Sequence, residues 1–219
     1  MRENGASSES LDNLRRQASR ADYSSMAALA LGCYRRGLRP PQVMSECYGV
    51  KFPQEFFVLA ESDRDDTDLF LEFMNQPWEL ATPPERGGPS EIPRRTDESE
   101  RQLFDADADL VPLVRLLGLR ERRGGSTICY RLGELSEGRA AVFEIKRGVR
   151  PGGPVTRCGD SLLDVLLEHH TEAYETLEKQ RNSESNFGFG TVDDDEVAEV
   201  REVVEQVVEL RRRADARGA

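Results

Sequence analysis

The sequence predicts a body in which strands and helices are mixed, with further helices at both ends. Two observations point there. From Asp109 to His170 the chain reads as extended apolar pieces separated by turns, followed by a capped helix. On either side of that stretch, through residues 10–48 and again through 191–217, apolar residues recur at helical spacing.

Taken in order, residues 1–9 are small and polar and read as a disordered N-terminus. Leu11, Leu14 and Ala18 then open a helical pattern. Tyr23 to Arg36 continue it, with Met26, Ala27, Ala30, Leu31 and Tyr34 on one side. Gly37 ends the helix and Pro40-Pro41 enforce the break. A short helix is expected from Gln42 to Cys47. Gly49 turns the chain into VKFPQEFFVLAES, where Pro53 suits a first helical turn and Phe56, Phe57, Leu59 and Ala60 cluster behind it. Residues 61–68, ESDRDDTD, form an acidic loop. In DLFLEFMNQPWEL, Leu69, Leu71 and Phe73 alternate with Phe70, Glu72 and Met74, which leans toward a strand, with a buried helix as the other option.

Residues 81–95 are rich in Pro and Gly and read as a long loop. TDESERQLF suits one or two helical turns capped by Thr96 or Asp97. DLVPLVRLLGL is extended, Arg123-Gly124-Gly125 turns the chain, and STICYRL and AAVFEIKRG are strands separated by a loop. VRPGGPVTRCG reads as another loop. Asp160 or Ser161 caps the helix LLDVLLEHHTEAYETLEKQ, whose Leu162, Val165, Leu166, His169 and Ala173 share a face. NSESNFGFG breaks that helix with turn residues. In the last segment Val197, Val200, Val204, Val207 or Val208, and Leu210 make a stripe. Asp193 to Asp195 at its start and Arg211 to Arg213 near its end complement the helix dipole. Valine is a middling helix former, so this helix relies on docking, either on the domain or on a second copy.

A chain of 219 residues suits one domain with appendages and buries a core without disulfides or metals. Apolar residues are 37% and charged residues 32%, so part of the chain stays solvated. The net charge of −11 repels nucleic acid and anionic membranes and favours basic partners; solubility alone is the competing explanation. Cys33, Cys47, Cys129 and Cys158 match no zinc or CxxC spacing and read as reduced thiols, which suits the cytoplasm. The N-terminus lacks the apolar core of a signal peptide, and no run approaches the roughly 18 apolar residues of a membrane span.

Few motifs suggest chemistry. GDSL at Gly159–Leu162 invites a serine-esterase reading with Ser161 as nucleophile. His169 and His170, the sole histidines, lie further along the same helix, about 12 Å from Ser161 by helical rise, too far for a nucleophile–base contact of about 3 Å. Helix capping explains the motif better. Neither histidine belongs to an HExxH or a Cys/His cluster, and Gly124-Gly125 lacks the lysine of a phosphate loop. Asp105, Asp107 and Asp109 alternate, so in an extended segment they point one way. The glycine turn and closing glutamate of a calcium loop are missing, which argues against metal. Trp78 has apolar neighbours and reads as core. Two acidic clusters are the candidate partner surface: Glu61, Asp63, Asp65, Asp66 and Asp68, and then Asp105, Asp107 and Asp109.

The order of elements resembles the SUKH superfamily, the Knr/Smi-like domains. The resemblance rests on GVKFPQEFFVLAES at Gly49–Ser62, the apolar segment LVPLVRL, a Gly turn, the strands TICYRL and AAVFEI, and the helix DSLLDVLLEHH, and it spans about 49–178. It sets an expected domain at 49–181 with an insertion at 81–108, between the helical N-terminal region and the C-terminal helix. It implies an α+β fold, a twisted and mostly antiparallel sheet with helices packed on it. It also implies a non-enzymatic role without cofactors, as an immunity protein that neutralises a cognate toxin, often a nuclease. An acidic inhibitor suits the basic cleft of such a toxin. The rival expectations are a scaffold or regulatory module of the same fold, with the terminal helix as a homodimer element, and a GDSL-like hydrolase.

Overall fold

The computed structural model describes residues 10–62, 69–90, 92, 98–117, 125–146, 154–182 and 192–218. The expectations for residues 1–9, for the acidic loop from 63 to 68, for the caps Thr96 and Asp97, for Arg123-Gly124 and for the break at 183–190 lie outside the described residues.

Helices come first, as the periodicity requires. They are α1 (Leu11–Gln17), α2 (Tyr23–Tyr34), α3 (Pro40–Tyr48) and α4 (Gln54–Glu61). The helical pattern through Leu11 and Arg36 is two helices. Ala18 is extended, and the Asp22 side chain caps α2 by accepting from the Ser24 N–H. Pro40 and Pro41 belong to the first turn of α3, where a missing N–H costs nothing; they start this helix and do not merely stop the previous one. Gly49 closes α3 at φ 73, a left-handed conformation that glycine adopts without penalty.

Next come β1 (Leu71–Phe73), α5 (Asn75–Ala81), α6 (Glu98–Ala106), β2 (Leu110–Leu116), β3 (Thr127–Arg131), α7 (Leu132–Ser136), β4 (Val142–Ile145) and β5 (Val155–Gly159). The strands form one sheet in the order β1-β2-β3-β4-β5, with every neighbouring pair antiparallel. This meander, with helices packed on it, is the α+β architecture expected. The segment DLFLEFMNQPWEL divides: three residues are strand and the rest is α5. Strand β2 is buried along nearly its whole length, and its internal Pro112 sits beside a bulge, where proline is tolerated. The carbonyl of Leu113 there accepts from the Met74 N–H at 2.8 Å and from Trp78 Nε1 at 2.6 Å. Trp78 is fully buried and stacks on Phe56 at 4.5 Å, as a core tryptophan should.

Three expectations need correction. VTRCG is strand β5, because its backbone pairs with β4; its half-exposed edge position removes the apolar alternation that would have announced it. Leu132, read as the end of a strand, and residues 133–136, read as loop, form α7. DADAD is not extended: Asp105 lies in α6, and Asp107 to Asp109 form the turn into β2.

Helices α8 (Leu162–Asn182) and α9 (Asp194–Gly218) complete the chain. The buried stripe of α9 is Val197, Val200, Val203, Val207 and Leu210; Val204 is half-buried and Val208 exposed. Val203, Val207 and Leu210 join the main core, which also contains Leu14 of α1, Phe56 of α4, Val114 of β2 and Leu166 of α8. Val197 and Val200 pack with Leu177 of α8 in a smaller cluster. The terminal helix therefore docks in cis, against α4 and α8.

Candidate functional site

The acidic residues singled out in the sequence have separate fates. Glu61, at the end of α4, pairs with Arg217 of α9, and its backbone carbonyl accepts from Arg86 at 3.2 Å. Asp63, Asp65, Asp66 and Asp68 lie outside the described residues. Asp105 is exposed on α6 and makes no ion pair among the described residues. Asp107 accepts from the Asp109 N–H at 3.0 Å and pairs with Arg131 at 2.9 Å. Asp109 accepts from the Gly133 N–H at 2.9 Å, at the start of α7. Arg20 approaches the same turn from the other side. It donates to the carbonyls of Ala108 and Leu110 and lies over the Phe104 ring at 5.0 Å. Asp107 and Asp109 thus hold the turn that joins α6, β2 and α7, and Asp105 alone of these three is free for a partner.

Other carboxylates take up the outward role. On α8, Glu168 and Glu172 are exposed one turn apart; on α9, Glu199, Glu202 and Glu205 are exposed at three-residue spacing. None of these makes an ion pair among the described residues. Asp164 pairs with Arg211 at 3.1 Å, and Asp194 with Arg181 at 3.1 Å, so the two helices are cross-linked at both ends of their contact. The signal was present in the sequence as glutamates three and four apart, but such spacing forms no visible run.

Ser161 serves a helix end. Its Oγ accepts from the Asp164 N–H at 3.2 Å and donates to Glu55 Oε2 at 2.5 Å. Glu55, from the first turn of α4, also accepts from the Leu162 N–H at 2.8 Å, the Leu163 N–H at 3.3 Å and the Tyr130 hydroxyl at 2.9 Å. The N-terminal N–H groups of α8 are thereby satisfied by a carboxylate 107 residues away. Asp160 pairs with Arg157 instead. His170 is fully buried, with Nδ1 at 2.6 Å from the Leu166 carbonyl, and burial pushes its pKa down to about 4. His169 is half-buried, with Nε2 at 3.2 Å from the Leu117 carbonyl. Neither of these partners is Ser161.

The cysteines are free thiols. Burial pushes the pKa of Cys129 and Cys47 far up and that of Cys158 to about 11, which keeps them protonated and weakly nucleophilic. Among the described residues no group of three or more His, Cys, Asp or Glu side chains is arranged to hold a metal ion. No helix among them is long and apolar enough to cross a membrane.

No family model, curated protein or solved structure matches this chain.

Proposed function

We propose that this chain is a non-enzymatic binding protein of the SUKH immunity type, which neutralises a basic protein toxin by laying carboxylates over the toxin's cationic surface. The observation that carries this reading is a group of exposed carboxylates that make no ion pair among the described residues, including Asp105, Glu168, Glu172, Glu199, Glu202 and Glu205. Asp63, Asp65, Asp66 and Asp68 extend the same negative charge in the sequence. A carboxylate already paired within its own chain offers little to a partner, whereas an unpaired one is free to pair across an interface and to steer encounter. The antiparallel meander with helices packed on it has the architecture that the SUKH resemblance implies. The hydroxyl of Ser161 is engaged in capping, which supports a binder over a hydrolase.

The test is titration of the purified protein against the product of the neighbouring gene, at two salt concentrations. Two charge-reversed variants are compared with the parent: Asp65→Lys with Asp66→Lys and Asp105→Lys, and Glu168→Lys with Glu172→Lys, Glu199→Lys and Glu202→Lys. At least one variant should bind roughly tenfold or more weakly, with a shallower salt dependence. Unaltered affinity in both removes the acidic surface from consideration.

A further inference from the structure

A cleft of about 550 Å³ opens between the Gly49–Pro53 connection and the turn after α7. That volume lies within the range of roughly 300–1,000 Å³ usual for binding pockets. Val50, Phe52, Pro53 and Leu135 give it apolar walls, and Lys51 and Arg139 stand among its lining residues, with no carboxylate among them.

The sequence explains why this cleft is rigid. Gly49 terminates α3 in a left-handed turn, and Pro53 disfavours helical backbone at Phe52, so residues 50–52 neither continue α3 nor begin α4. Phe52 is pinned between the rings of Tyr48 at 5.2 Å and Phe56 at 4.9 Å. Across the cleft, Gly138 turns at φ 77, and Arg139 is held by Glu134 at 2.6 Å and by Glu137.

Two properties of the first wall point outward. The backbone N–H and C=O groups of Val50, Lys51 and Phe52 form no hydrogen bond among the described residues. Such an unpaired stretch beside an apolar cleft is a template that an extended peptide completes. Lys51 is exposed and makes no ion pair among the described residues. Arg139 already carries two carboxylates, so Lys51 is the cation of this cleft that is available to a ligand.

We propose that this cleft is a docking groove for an extended protein segment that carries an apolar side chain next to an acidic one. The segment pairs its main chain with residues 50–52, lodges the apolar side chain against Pro53 and Leu135, and sets the carboxylate on Lys51. The groove is independent of the acidic surface, which has opposite charge preference.

The experiment is a ¹H–¹⁵N titration of the full chain with the blocked peptide acetyl-Ala-Leu-Glu-Val-Asp-amide, and with a control in which Lys replaces Glu and Asp. The acidic peptide should produce saturable shifts at the amides of Val50, Lys51 and Phe52 and of Gly138 to Ala140. Lys51→Glu should weaken it about fivefold, the size expected from one solvent-facing charge pair. The variant's own spectrum reports that it is folded. The proposal fails if shifts map elsewhere or do not saturate at several millimolar. It also fails if the basic peptide binds as well, or if Lys51→Glu binds equally.

Discussion

Replacing Glu55 removes, in one step, the acceptor for the Tyr130 hydroxyl and the partner of two N–H groups in the first turn of α8. Hydrogen bonds to a charged group are worth about 1.5–3 kcal/mol each, and they are shared here, so Glu55→Ala should lower stability by about 2–3 kcal/mol in urea unfolding at neutral pH. Ser161→Ala, which leaves Glu55 in place, should cost about 1 kcal/mol. A larger loss from Ser161→Ala than from Glu55→Ala would contradict this ranking. His170 makes a prediction about acid. Its pKa is about 4 in the folded protein because burial disfavours the imidazolium, against about 6.5 when exposed in the unfolded chain. A depressed folded pKa means that the stabilisation is complete above pH 6.5 and is lost as pH falls from there through 4. The loss amounts to about 3 kcal/mol across that window. His170→Leu should flatten this part of the stability profile, and an unchanged slope would show that other groups set it.

At the scale of elements, α9 covers α4 and α8 with an apolar stripe. Deleting residues 194–218 should therefore broaden thermal unfolding and raise binding of a hydrophobic dye to the body. A body that still unfolds sharply, with no extra dye bound, would show that α9 is dispensable for packing. The helices with clean periodicity, α2, α4, α8 and α9, were legible in the sequence, as were the apolar strands β2, β3 and β4. Elements whose reasons are tertiary were not. Strand β5 exposes Thr156 and Arg157 and exists through its pairing with β4. Helix α7 is five residues long and begins where Asp109 accepts from Gly133. The sequence pattern puts Val204 in the stripe of α9, one position off from Val203, because the pairs Val203-Val204 and Val207-Val208 leave the register open until a partner surface is chosen. The candidate site divides in the same way. The acids of DADAD look like a cluster, but Asp107 and Asp109 are pulled in by Arg131 and by the N–H of Gly133, whereas Glu168 and Glu172 form no run in the sequence and make no ion pair among the described residues.

For the molecule as a whole, a net charge of −11 favours encounter with a cation wherever the contact finally forms. That long-range pull is what added salt screens, and it decays over about 8–10 Å at physiological ionic strength. Short-range recognition needs unpaired groups at defined places. The exposed faces of α8 and α9 supply negative ones, and the Lys51 cleft supplies a positive one on a different part of the chain. Under the two proposals made above, a basic protein and an acidic peptide would be held without competing for the same side chains.

The docking of α9 also bears on how the chain matures. Val203, Val207 and Leu210 are translated after α4 and α8, against which α9 packs, so the face of α4 that α9 shields stays wet until they are made. Nascent polypeptide emerging from the ribosome would thus present an unfinished interior, open to chaperones or to premature association, until α9 swings back and seals it.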